Sequence, residues 1–429
     1  MRKIRVAYIV WNEDPYKNNI FNNQVADQII QIKQLHPEEV DITLVINFPL
    51  SSFVRNKKGT KQDVIDFKNQ LTASLAAHNI KLQFYFSRFA FNFNTKFYLL
   101  PFQYFENFTK VKKLVEDQKI DIVHCRSYHA GFVGASIRRL FKNVKFVFDT
   151  RGRFPEEGIF RKSYEKDSLS YKIWKKRERF IISNADAVVN VSEAFQKIFE
   201  TDYPKESQGK NTTIYTSSNV QVMTQPRQNN IPVLQNTNAM VFVGELSENG
   251  GYSVKKVMEA YRIYRKVIAS PHLVFISTTN RDTILKEIGD VEFKDEITIT
   301  ATTRFQDTYN ILSQCKFGFA ALNDWNAPLM EYLAPTVIAA KTGEYLTAGL
   351  PLIYDNRIGG VLPLIQNHNI GMAISYPLSE EVVASQLMAL NASYDEISDN
   401  CKKFACSNFS STNNAERYFE LYRKVLGAQ

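Results

Sequence analysis

The chain reads as an α/β protein built from two doubly wound domains, and three observations carry that reading. Apolar runs of strand length alternate with stretches of helical periodicity, the mark of parallel sheets joined by crossover helices. The alternation halts in a segment rich in Ser, Thr, Asn and Gln around 201–238, with Pro204, Pro226 and Pro232, and then restarts. Finally, 429 residues exceed what one hydrophobic core holds and suit two domains of roughly 200 residues each. The expected limits are 1–205 for the first domain, 206–238 for a linker region and 239–408 for the second domain. Residues 409–429 are expected to form a helix packing back toward the first domain.

In chain order, Arg5 to Val10, Ile42 to Phe48, Leu82 to Phe86, Ile120 to His124, Lys145 to Phe148 and Ala187 to Val191 read as strands of the first domain. Each is a short run rich in β-branched or aromatic residues, as a sheet buried on both faces requires. Helical spacing fills most gaps, as in Val25 to Leu35 and Tyr171 to Ile182. The linker holds one expected strand around Ile214. Strands then resume at Met240 to Val243, Leu273 to Ser277, Ile297 to Ile299, Phe317 to Ala321 and Leu352 to Tyr354, before an amphipathic helix from Ala415 to Leu426. The start, Met1 to Val10, is basic and then apolar. It is too short for a secretory signal and lacks a small-residue cleavage site, so it reads as the first buried strand. No stretch approaches the ~20 apolar residues that span a bilayer.

Charge is unevenly distributed. Residues 1–200 hold 33 Lys and Arg against 21 Asp and Glu, a balance of +12, whereas residues 239–429 hold 17 against 21, a balance of −4. A basic first half points to an anionic partner, such as a membrane surface or a lipid-linked pyrophosphate, or else to a solvated surface of no consequence. Nucleic acid is disfavoured because no recognition motif accompanies the charge. The run from Phe84 to Phe108 is unusually aromatic, with Phe89, Phe91, Phe93, Phe97, Phe102 and Phe105 among its members, and fits either a bilayer interface or a packed core. Cys125, Cys315, Cys401 and Cys406 lack metal-ligand spacing and suit packing in a reducing compartment. An NAD enzyme is disfavoured too. It needs a glycine-rich turn after the first strand, and the first glycine here is Gly59.

The densest signal is Lys341-Thr342-Gly343-Glu344-Tyr345-Leu346-Thr347-Ala348-Gly349-Leu350-Pro351-Leu352-Ile353. It reads as a loop, a short helix, a stop and a buried strand. Gly349 tolerates the left-handed conformation that closes helices, and Pro351 cannot continue one. Lys341, Gly343 and Glu344 fall at the helix start, where unpaired N–H groups and the dipole favour phosphate. Glu344 can accept from hydroxyls such as those of a ribose.

This run resembles the donor-sugar site of glycosyltransferase family 4, whose members have the GT-B fold of two Rossmann-like domains facing a cleft. Similar pieces occur in order: Asp121-Ile122-Val123-His124-Cys125-Arg126-Ser127-Tyr128, Phe148-Asp149-Thr150-Arg151-Gly152, Glu178-Arg179 with Ala185 to Glu193, and Val241-Phe242-Val243-Gly244-Glu245-Leu246. The resemblance implies that Glu344 holds the nucleotide ribose, with Gly244, Glu245, Thr336, Lys341, Thr342 and Gly343 as the other donor-binding positions. It further implies a retaining transfer with no cofactor beyond the nucleotide-sugar substrate. The chain also departs from the family pattern. Thr336 stands where many members have a first glutamate, Glu245 where an arginine often follows the glycine, and Arg126 where a histidine is common.

Arg126, Lys341 and Glu344 are the candidate catalytic residues. Arg126 and Arg151 follow strands of the first domain and should meet either phosphate or carboxylate on a ligand, or an ion-pair partner at the domain rim. Asn18, Asn19, Asn22, Asn23 and Gln24 crowd the turn after the first strand, where amides suit sugar hydroxyls or cap a helix. His129 opens the next helix and joins Arg151, Asn22, Asn23 and Gln24 as a candidate for the acceptor side. His124 reads as a core histidine. Trp325, in the loop before the donor motif, either stacks on a ligand or packs. No Asp-x-Asp occurs, so no metal site is expected. The expectation is a cytoplasmic, metal-independent glycosyltransferase, with peripheral contact at the inner membrane face, serving surface polysaccharide synthesis. It would move a sugar to a glycan or lipid-linked glycan acceptor. The alternative is a catalytically silent GT-B module that binds a nucleotide sugar or glycan.

Overall fold

The computed structural model describes residues 2–11, 21–49, 61–87, 100–218, 220–224, 238–246, 251–302, 305–324 and 329–427. The chain divides into two compact units: Met1–Tyr215 with Ser411–Gln429, and Thr216–Ser410. Each unit is built on one parallel sheet.

In the first unit the strands are β1 (Ile4–Trp11), β2 (Val40–Pro49), β3 (Lys81–Ser87), β4 (Ile122–Arg126), β5 (Lys145–Asp149), β6 (Ala187–Asn190) and β7 (Asn211–Thr213). They lie in the order β3-β2-β1-β4-β5-β6-β7, so the strand order reverses between β1 and β4. β1 pairs with both β2 and β4 in parallel, Val6 opposite Ile42 and Ile122. Alternate residues of β1 serve two cores. Ala7, Ile9 and Trp11 pack with Val133 and Ile137 of helix Ser127–Leu140, while Val6, Tyr8 and Val10 pack with Ile29 and Ile32 of helix Asp27–Leu35. Burying both faces is why β1 reads as an apolar run rather than an alternation. Each fully buried Val or Ile there contributes about 1.5–3 kcal/mol.

The last helix, Ser411–Leu426, belongs to this first unit. Its Tyr418, Phe419 and Tyr422 complete the core that holds Val6 and Tyr8, and His36 stacks on Phe419 with ring centroids 3.5 Å apart. Helices Leu169–Asn184 and Glu193–Asp202 begin where serine hydroxyls cap them: Ser168 accepts from the Tyr171 N–H, and Ser192 from the Phe195 N–H.

The second unit holds β8 (Asn238–Val243), β9 (Pro271–Ile276), β10 (Ile297–Thr300), β11 (Phe317–Ala320), β12 (Leu352–Asp355) and β13 (Gly371–Ile374) in the order β10-β9-β8-β11-β12-β13. Every strand expected from the sequence is present within a few residues. β13 is the addition. It is only four residues long and opens with Gly371, whose φ of +153° and contact with the Leu352 backbone exclude any side chain. A strand this short, begun by glycine, carries too little pattern to be read locally.

Candidate functional site

In the second unit the run from Lys341 forms the local structure its residues imply. Helix Ala340–Thr347 begins without a side-chain cap and ends at Gly349, φ +74°. The Gly349 N–H donates to the Leu346 carbonyl and the Leu350 N–H to that of Tyr345, the paired bonds of a Schellman stop. Tyr345 ties the helix to the sheet: its hydroxyl accepts from the Val243 N–H at 2.7 Å and donates to the Phe319 carbonyl at 3.2 Å.

Lys341 is 7% exposed, and its ammonium sits 4.0 Å from the ring centre of Phe242 and 3.4 Å from that of Tyr252. Among the described residues its Nζ has no hydrogen-bond partner. Burial pushes the amine well below the ordinary lysine range, against a smaller opposing pull from Glu344. Burial likewise raises the Glu344 carboxyl, and Lys341 partly offsets this. Both groups are therefore biased toward neutrality while the site holds no ligand. Gly244, φ +140°, lies directly behind the amine. A Cβ there would stand 2.8 Å from the lysine Nζ, so glycine at 244 and lysine at 341 are required together.

Other expected donor positions are placed differently. Thr342 is fully buried, with its hydroxyl 3.2 Å from that of Tyr354 and its N–H on the Ala339 carbonyl, which makes it a packing residue rather than a donor contact. Gly343 is required by packing as well, since a Cβ there would lie 3.0 Å from Phe409 and Ser218. The Thr336 hydroxyl donates to the Leu333 carbonyl of its own turn. Glu245 is exposed. Trp325, Asn18, Asn19, Phe89, Phe91, Phe93 and Phe97 lie outside the described residues.

In the first unit the candidates cluster at the carboxyl ends of β4 and β5. Arg126 is the last residue of β4 and is buried. Its NH2 donates to the Gln24 side-chain oxygen at 3.0 Å, and the Arg151 NH2 donates to the same oxygen. Asn22, Asn23 and Gln24 fall in a π-helical turn, Asn22–Ala26; the side chains of Asn22 and Asn23 are not described. Beneath the arginines, Asp149 accepts from the Tyr418 hydroxyl at 3.1 Å and lies 3.7 Å from His124 Nε2. Burial alone would raise the Asp149 carboxyl, but Arg151, the His124 hydrogen bond and Arg126 together hold it down to about 2. His124 is wholly buried, with Nδ1 2.6 Å from the Tyr422 hydroxyl, in keeping with its reading as a core histidine.

His129 departs from its expected place on the acceptor side. It is 1% exposed and packs edge-on against Phe154 and Trp174, with Nδ1 3.3 Å from the Tyr104 hydroxyl. Burial, and to a lesser degree Arg177, lower it to about 3. The inward face of helix Ser127–Leu140 claims it. Sequence reasoning missed Phe242 and Tyr252 as the walls around Lys341, and Tyr418 and Tyr422 as partners of Asp149 and His124. Asp149 ends a strand, and that position was the one available signal.

Residues 73–217 match the model of Glycosyltransferase Family 4, which bears out the resemblance read from the sequence. Among solved structures the chain is similar to a glycosyltransferase from Rickettsia africae ESF-5, at 16% identity, full coverage of both chains and a TM-score of 0.66. It is similar to sucrose-phosphate synthase from Thermosynechococcus elongatus, at 13% identity, full coverage of both and a TM-score of 0.63. It also resembles HepE of Anabaena, solved with UDP and glucose, at 11% identity, covering 98% of this chain and 100% of that one, with a TM-score of 0.60. No curated protein matches the chain. At these identities the likeness establishes the fold.

Proposed function

We propose that this chain of GT-B fold, with its family 4 match over residues 73–217, is a glycosyltransferase that takes a sugar from a nucleotide donor. The observation that carries the reading is Lys341: a buried ammonium without a hydrogen-bond partner among the described residues, at an uncapped helix start and backed by Gly244. An arriving diphosphate would supply the negative charge that restores its proton, and the helix N–H groups would share the load. In the transfer, the bond between the anomeric carbon and the diphosphate breaks while one to an acceptor hydroxyl forms. Lys341 and the helix start stabilise the leaving diphosphate without a metal ion. Glu344, three residues on, accepts from the ribose hydroxyls.

The first nucleotide to test is UDP, because HepE was solved with UDP and with UDP-glucose, and MnaA of S. aureus with UDP. Retention of anomeric configuration, a glycan or lipid-linked acceptor, a role in surface polysaccharide synthesis and a cytoplasmic, membrane-peripheral location belong to the same proposal. A second reading, a silent module that binds a nucleotide sugar or glycan, is favoured by Thr336 and Glu245 standing where the family's first glutamate and arginine often occur. Turnover of any nucleotide sugar excludes it.

The test is a thermal-shift screen against UDP, GDP, CDP and ADP sugars, followed by titration of Glu344→Gln with the best ligand. A ligand that binds the folded state raises the melting temperature. Loss of a charge-assisted hydrogen bond should cost roughly 1.5–3 kcal/mol of affinity. An unchanged dissociation constant would remove Glu344 from the donor site.

A further inference from the structure

We propose that Arg126, Arg151 and Gln24 form a seat for an anionic group, phosphate or carboxylate, on the acceptor substrate. The place is the one where an open parallel sheet binds ligands: beyond the carboxyl ends of the strands, where the order reverses between β1 and β4. Arg126 closes β4, Arg151 stands two residues past the end of β5, and Gln24 comes from the segment between β1 and β2.

The backbone departs from regular geometry at all three positions. Gln24 lies in a π-helical turn, a feature frequent at functional sites. Ser127, directly after Arg126, has φ +67°, and Arg151 itself has φ +60°, both left-handed without being glycine. Such conformations persist where the surroundings enforce them, and they concentrate at ligand sites. Their effect here is convergence, since segments 102 and 127 residues apart in the chain direct two guanidinium groups at one amide oxygen.

A single neutral oxygen is a poor match for two cationic forks. Each guanidinium has five N–H donors in a plane, suited to paired anionic oxygens. A phosphate or carboxylate entering beside Gln24 takes over donors that the amide oxygen now receives. Asp149 does not fill that role, because its Oδ2 accepts from Tyr418 and faces His124 beneath the arginines. It acts as a positioning residue that keeps positive charge concentrated at the strand ends. Arginine at 126, where the family commonly has histidine, gives this chain a permanent cation at that point. The assignment of the anion to the acceptor rests on the glycosyltransferase reading; the seat itself does not.

The test uses the full-length chain carrying Lys341→Met, so that the second unit contributes little diphosphate affinity. Farnesyl diphosphate and glucuronate are titrated separately by calorimetry, one bearing lipid-linked phosphate and the other a sugar carboxylate. Binding of either supports the seat, and the better ligand names its source. Gln24→Glu installs an internal carboxylate and should weaken that binding at least tenfold, while Gln24→Ala keeps it within about threefold. Arg126→Met and Arg151→Met should each weaken it at least tenfold; should either fail to fold, the two Gln24 variants decide. UDP binding to the chain with Lys341 intact should be unmoved by Gln24→Glu, which separates failure of the seat from failure of the donor reading. Absence of binding by both probes at millimolar concentration, or binding indifferent to Gln24→Glu, overturns the proposal.

Discussion

The two units bury charge in opposite ways. In the first, buried ionisable groups are partnered: Asp149 by Tyr418 and His124, and Glu178 by the hydroxyls of Tyr128 and Tyr203, at 2.9 and 2.8 Å, together with Lys175. In the second, Lys341 faces two aromatic rings and no hydrogen-bond acceptor among the described residues. A partnered buried charge holds a fold in one arrangement, because removing either partner strands the other. A buried ammonium against rings alone pays most of its desolvation uncompensated and is stabilised when an anion arrives. The first pattern is scaffolding; the second is a site awaiting a ligand.

Acid should expose the difference most strongly. An unfolded histidine takes up a proton below about 6.5, whereas folded His129 stays neutral down to about 3. The unfolded chain therefore binds the extra proton between these values. The stability that His129 contributes is complete above about 6.5 and is lost as the pH falls, at roughly 1.4 kcal/mol per unit and ~4–5 kcal/mol across the window. Burial lowers His124 too and adds to the same slope. Urea unfolding at pH 7.5, 6 and 5 measures it. His129→Phe should flatten the dependence, and an unaltered slope would mean that this ring is not the titrating group.

Next in size is a pair of substitutions of opposite sign. Glu178→Leu leaves the Tyr128 and Tyr203 hydroxyls unpaired and takes one carboxylate from Lys175, so it should destabilise the protein by about 3–5 kcal/mol. Lys341→Met removes an uncompensated buried amine and should leave stability unchanged or raise it by ~1 kcal/mol. The same change should weaken nucleoside diphosphate binding roughly 10–150-fold while sparing the bare nucleoside. Denaturant midpoints and titrations read both effects. If Lys341→Met proves as damaging as Glu178→Leu, the lysine is scaffolding after all and the contrast between the units fails.

The smallest expected effect concerns the outer face of the first unit. Phe102 and Phe105 are 65% and 70% exposed on helix Leu100–Gln118, which also carries Lys112 and Lys113. Each basic side chain near an anionic bilayer contributes about 1 kcal/mol. Co-sedimentation of the full chain with phosphatidylserine vesicles should fall between 0.1 and 1 M salt, as the Debye length shrinks from about 10 to about 3 Å. Phe102→Ala with Phe105→Ala should reduce it further. The full chain is the right material, because a fragment of residues 1–200 would lack the Tyr418, Phe419 and Tyr422 that complete its core. Adsorption insensitive to both salt and these aromatics would return the face to an ordinary solvated surface.

What the sequence determined by itself is whatever is written within about ten consecutive residues. The apolar runs of β1, β4 and β8 announce strands because a doubly covered sheet needs every position apolar. The stop at Gly349 and Pro351 is legible because only certain residues tolerate those dihedrals. Lys341, Gly343 and Glu344 fall at a helix start for the same local reason. The family match over residues 73–217 and the motif at 341–353 lie in different units, so each half of the fold carried its own local signal. Tertiary structure alone decided which side chains meet. It brought Tyr252 and Phe242 around Lys341, and turned His129 inward among Phe154 and Trp174. It carried Tyr422 back across 298 residues to His124, and gathered Arg126, Arg151 and Gln24 at one oxygen. Those meetings depend on strand order and on which helix covers which face, and neither is encoded in the local periodicity of any single element.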